Sequence, residues 1–188
     1  MAIPLKNSQE QYGLGSIALH WIMALVIIGM YPLGLYIDTL SYYDAGYQTV
    51  PHWHKSIGLI LLALLAFRLL WRMITPQPKP LPQPALLHLA TKAAHMLIYI
   101  LMLVALISGY MISTADGRAI EVFNWFEVPA LPAVIDQQED VAGLIHYWSS
   151  TALIVLSGIH ALAALKHHFI NKDQTLTRML GMPQESNQ

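Results

Sequence analysis

Residues 144–166 read LIHYWSSTALIVLSGIHALAALK, a long run almost free of charge. It contains no Asp, Glu or Arg, and its one Lys, Lys166, closes it. A bilayer core about 30 Å thick needs about 20 largely apolar residues in a helix, which this stretch supplies. Two histidines interrupt the apolar run. His146 and His160 are 14 positions apart, about 21 Å along a helix at about 1.5 Å per residue. At about 100° per residue they fall about 40° short of four full turns, so they share one helix face.

Three more stretches satisfy the same criterion: residues 16–37, 54–73 and 94–113. The expected fold is therefore all-α, a four-helix transmembrane bundle forming one domain over residues 1–188. The composition agrees. The chain is 55% hydrophobic and 11% charged, less than half the roughly 25% charge of a soluble domain. With a net charge of −1, nucleic acid is not an expected partner, whereas membrane lipid is. The first apolar run lacks a basic lead and a small-residue cleavage site, so it is expected to remain as a permanent helix. Pro32 lies inside it and is expected to kink or loosen its second half, which membrane helices tolerate. The run TPQPKPLPQP over residues 75–84 places proline at every second position and reads as an extended connector on one membrane face.

The charges set orientation, because short cytoplasmic loops collect Lys and Arg. Lys6, Arg68, Arg72, Lys79, Lys92, Lys166, Lys172 and Arg178 belong to the N-terminus, the second loop with its flanks, and the C-terminus. The first and third loops hold only Lys55 and Arg118, against the acids Asp38, Asp44, Asp116, Glu121, Glu127, Asp136, Glu139 and Asp140. Both termini are expected in the cytoplasm. In a bacterium this means the inner membrane.

With no cysteine in the chain, thiolate metal sites, cysteine-held iron–sulfur clusters and covalent c-type haem are excluded. Nine histidines remain. Polar side chains within a bilayer are costly and mark function by default, although a single histidine is equally compatible with a hydrogen bond to a neighbouring helix. Depth sorts them. His20 and His160 lie about 10 Å from the cytoplasmic face. His54 opens the second span and His146 the fourth, both near the outer face. One helix face thus offers ligands at two levels, His146 to pair with His54 and His160 to pair with His20. His95 is the rival to His20 inside, and His52 the rival to His54 outside. His88, His167 and His168 suit the interface or solvent.

The spans lack the carboxylates and thiols that hard cations, zinc or di-iron centres use. Neutral imidazoles in an apolar bundle suit b-type haem, and two axial histidines favour electron transfer over oxygen binding. Copper or zinc transport would need a continuous polar path, which the spans do not show. Gly15, Gly58, Gly143 and Gly158 lie near these histidines, where they admit a flat macrocycle or simply close helix packing. Lys55, Arg68, Arg72 and Arg118 are available to haem propionates, with interfacial snorkelling the alternative for Arg68 and Arg72. Trp21, Trp53 and Trp148 flank the histidines and suit porphyrin packing, quinone stacking or interfacial anchoring. In the outer loop over 114–142, Phe123, Trp125 and Phe126 suit an interfacial belt or a docking patch for a soluble dehydrogenase.

The segments SIALHW (16–21), HKSIG (54–58), LIHYW (144–148) and GIHALAALKHHF (158–169), with the ending HHFINKDQTLTRM (167–179), resemble the bacterial cytochrome b561 family over nearly the whole chain. The resemblance implies a quinone-linked oxidoreductase: an electron-transport protein with two haem b groups and ubiquinone as substrate. It places the iron ligands on His20, His54, His146 and His160. It also implies a candidate role in oxidising superoxide outside the inner membrane. The acidic outer loops oppose that role, since an anion is steered by positive surface; a neutral or protein electron donor suits them better. A haem-bearing anchor for a soluble dehydrogenase is the other function considered.

Overall fold

Inside a bilayer the backbone must satisfy its own polar groups, so apolar length becomes helix. The computed structural model describes residues 3–182; residues 1, 2 and 183–188 of the domain expected over 1–188 lie outside them. Four long helices dominate: α1 (Leu14–Ile37), α2 (Thr49–Ile74), α3 (Ala85–Ser113) and α4 (Gln138–Lys166). All four are long and apolar enough to cross a membrane. A π-helical turn, His167–Asn171, continues α4, and a short helix α5 (Thr175–Met179) follows. The outward faces are apolar as well as the inward ones: Leu25, Val155 and Leu162 all point away from the bundle. A helix apolar all round belongs in lipid or a deep core.

The helices begin earlier than hydropathy alone suggests. α2 starts five residues before His54, α3 nine before residue 94, and α4 six before residue 144. Hydropathy reports membrane depth, whereas helical hydrogen bonding continues into the interface. Glu139 and Asp140 occupy the first turn of α4, where negative charge complements the helix dipole. The Gln138 side chain accepts from Val134 N–H and donates to the Met111 carbonyl, tying the start of α4 to α3. α1 continues through Pro32 to Ile37 as one helix.

The centre of the bundle is a layer of Met23, Leu61, Leu65, Met102 and Leu153, with at least one residue from each long helix. Leu153 is midway between His146 and His160 along α4, so this dry layer separates the two histidine levels.

Each end of the bundle is closed differently. The third loop contains a hairpin, β1 (Ile120–Val122) with antiparallel β2 (Phe126–Val128). Phe123 and Asn124 both have positive φ at its turn, the backbone shape that matches strand twist in tight hairpins. Ser56 of α2 is fully buried beneath it, donating to the Glu121 carbonyl and accepting from Phe123 N–H. At the opposite end, Asn7 bonds Gly13 N–H, the Thr75 hydroxyl and the Pro76 carbonyl. Arg178 of α5 donates to the carbonyls of Lys79 and Glu10. The N-terminal segment, the proline-rich connector and α5 therefore form one polar cap.

Candidate functional site

The bundle brings the four histidines together as two opposed pairs. His54 of α2 and His146 of α4 have ring centres 6.1 Å apart. His20 of α1 and His160 of α4 are 6.3 Å apart. A metal–imidazole bond takes about 2 Å and the ring nitrogen lies about 1 Å from the ring centre, so two imidazoles on opposite sides of one metal have centres about 6 Å apart. Both pairs have that spacing. His95 also reaches the level of His20 and His160, but its ring centre is 5.1 Å from that of His160, too close for the two rings to bind opposite sides of one iron.

His146 Nδ1 lies 2.8 Å from the Ala105 carbonyl of α3. A carbonyl only accepts, so the ring donates there and Nε2 keeps its lone pair, the arrangement that orients a metal-binding imidazole. Among the described residues, the buried His54 Nδ1 has no hydrogen-bond partner. Such a group costs about 1–3 kcal/mol, which coordination to a metal relieves. At the His20–His160 level the Arg68 guanidinium lies 3.4 Å from His20 Nδ1 and donates through Nε to the Tyr99 hydroxyl. Among the described residues no group of three or more His, Cys, Asp or Glu is arranged to hold a bare ion. Paired imidazoles suffice for iron whose other positions a porphyrin fills. The donor set thus fits haem.

Two glycines stand against the rings, and neither is among those closest to the histidines in sequence. A Cβ on Gly34 would lie 3.3 Å from His54 Cε1, and one on Gly109 would lie 3.0 Å from His146 Cε1. Both contacts cross from one helix to another, so spacing along the chain carries no signal of them. Gly58, Gly143 and Gly158 face open space, while Gly15 packs against Trp71.

The remaining candidates separate. Trp21 stands edge-on to His20 and donates to the Met179 carbonyl, linking the inner level to α5. Trp53 packs on Phe123, Phe123 packs on Trp125, and Trp148 packs on Tyr147. Trp125 is 76% exposed at the hairpin tip. Lys55 is exposed. Arg118 pairs with Asp116, which holds the guanidinium more firmly protonated than usual. His167 pairs with Asp173 beyond the end of α4. His88 bonds Gln83 at the start of α3.

Four membrane-length helices that oppose imidazoles at two levels define a membrane cytochrome. The chain belongs to the prokaryotic cytochrome b561 family, whose profile matches residues 11–182. It is 51% identical over 176 residues to cytochrome b561 homolog 2 of Escherichia coli K12, covering 93% of this chain and 94% of that one. It is 30% identical over 174 residues to the "Probable superoxide oxidase CybB" of Yersinia pestis, covering 91% and 96%. It is 24% identical over 168 residues to cytochrome b561 homolog 1 of E. coli K12, covering 87% and 93%. Membership of this family carries haem, electron transport and a bacterial membrane location with it.

Proposed function

We propose that this chain is a single-domain electron-transfer cytochrome of the bacterial inner membrane, with both termini cytoplasmic, that binds two haem b groups and exchanges electrons with ubiquinone. His54 and His146 hold the outer haem; His20 and His160 hold the inner one. The observation that carries this reading is the spacing of the two ring pairs, 6.1 and 6.3 Å, against 5.1 Å for the His95 alternative. When bound, haem would supply one-electron chemistry, and these four histidines would hold it.

The protein's own share is positioning and insulation. The Ala105 carbonyl orients the His146 ring. Gly34 and Gly109 leave the ring edges clear. The Met23–Leu153 layer places buried apolar side chains between the levels. The reductant is then at the outer face and the quinone in the lipid phase.

Superoxide oxidation, the activity in the name of the Yersinia relative, is disfavoured as the main role. The outer loops carry eight acids against Lys55 and Arg118, and Arg118 is already paired with Asp116. A surface of that sign slows the approach of an anion.

The test is haem stoichiometry and reduced-minus-oxidised spectra of the purified protein and four single variants. Wild type carries two b haems. H54A and H146A each lose one, and H20A and H160A lose the other, distinguishable by band position. A wild-type protein with one haem or none, after expression with ample haem, sinks the reading.

A further inference from the structure

The backs of the two ligand pairs face opposite charge. At the outer level His146 Nδ1 points at the Ala105 carbonyl oxygen, the negative end of a peptide dipole. Its partner His54 lies against Gly34 of α1, and Asp38 closes that helix one turn later, its N–H bonded to the Gly34 carbonyl. Lys55 is next to His54 in sequence but is exposed to solvent. At the inner level the charge is positive. The Arg68 guanidinium sits 3.4 Å from His20 Nδ1 and is held there by its bond to Tyr99. Arg72 follows one turn after Arg68 in the last turn of α2 and adds a second positive charge at this end of the helix.

Building on the two-haem reading, we infer that Arg68 and Asp38 are positioning residues that set unequal reduction potentials, the inner haem higher than the outer. Reduction adds one negative charge to a haem. A nearby cation stabilises that state and a nearby anion opposes it. A carbonyl accepting the imidazole N–H makes the ring a stronger donor to iron, which favours the oxidised state. Arg68, Asp38 and the Ala105 carbonyl therefore bias the electron inward, from the outer face toward the cytoplasmic side, while the exposed Lys55 opposes them. Arg68 is half-buried whereas Asp38 is exposed, and water and salt screen an exposed charge more strongly. Arg68 is thus the larger lever. It acts through charge whichever nitrogen of His20 carries the proton.

Redox potentiometry of the intact holoprotein, with each haem assigned by the single histidine variants, tests this. Wild type shows two midpoints, the higher belonging to the His20–His160 haem. R68Q lowers that midpoint by about 59 mV, a tenfold change in its one-electron reduction equilibrium, and leaves the outer one nearly unmoved. R68K keeps the charge and restores most of the difference. D38N, at an exposed helix end, raises the outer midpoint by a smaller step and guards against failure of R68Q to fold. Two haems whose midpoints are equal, or lie in the reverse order, overturn the inference while leaving the two-haem reading intact. So do midpoints that neither R68Q nor D38N moves. A stoichiometry below two removes the two-haem reading itself.

Discussion

Gly109 of α3 lies so close to His146 of α4 that a methyl group on its Cα would meet ring atom Cε1 at 3.0 Å and Nδ1 at 3.2 Å. The ring is pinned from the same helix by the Ala105 carbonyl, one turn earlier. It has nowhere to retreat without losing that bond. G109L is therefore expected to displace His146 and lower the haem content from two per chain to one, measured by pyridine haemochrome assay against protein. G34A, whose Cβ would meet His54 Cε1 at 3.3 Å, should weaken the same haem without abolishing it. Full haem content in G109L counts against the outer pair.

His95 provides the opposite control. Its ring centre lies 5.1 Å from His160, short of the spacing that two imidazoles on opposite sides of one iron require. H95A should retain two haems with unchanged axial signatures in electron paramagnetic resonance. Loss of the inner haem in H95A, with retention in H20A, would exchange the roles of these two residues.

Ser56 concerns stability rather than cofactor. It is buried, and its hydroxyl serves both the Glu121 carbonyl and Phe123 N–H. S56A leaves those hairpin groups without a partner, at about 1–3 kcal/mol. Amide exchange over residues 120–128 should quicken markedly, with α1 and α3 little affected. Unaltered protection there would show that β1–β2 pairing alone holds the hairpin.

Arg178 seals the other end. Its guanidinium donates to the carbonyls of Glu10 and Lys79 while 9% exposed. Hydrogen bonds from a charged group contribute about 1.5–3 kcal/mol each, so R178A should destabilise by roughly 3 kcal/mol and lower Tm in detergent. Limited proteolysis should open the N-terminal segment and connector together. Cleavage of only one of them would show that Arg178 does not couple the two.

Asp173 gives a pH dependence. Partial burial raises its pKa, but hydrogen bonds from Thr175 and His167 outweigh this and hold the carboxyl below its ordinary value. The folded value being the lower one, its contribution is present above the unfolded pKa of about 4 and fades as pH falls through the folded value. Wild type should melt above D173N near neutral pH, and the difference should vanish as the solution is acidified below about pH 4. A difference that persists in acid would assign the effect to packing.

Much of this was legible along the chain. The four helices announce themselves because lipid rewards long uncharged segments, and the two histidine levels follow from helix rise and from distance to the flanking charges. Helix starts were less legible. Pro84 immediately precedes α3, yet residues 85–93 are mixed in polarity and do not register as membrane. The hairpin was hidden because its strands are three residues each and its turn, Phe123–Asn124, lacks the glycine that usually marks one.

Hydropathy and periodicity are properties of single helices, so the chain alone indicates a membrane bundle with histidines at two levels and a first pairing of them. Helix packing then separates the paired rings from their rivals. His20 and His95 occupy similar depths, and only the way α1 and α3 lean on α4 makes one 6.3 Å and the other 5.1 Å from His160. Gly34, Gly109, Ala105 and Arg68 belong to the same category. Each acts on a histidine of another helix, and contacts between helices are set by packing, which no local spacing records.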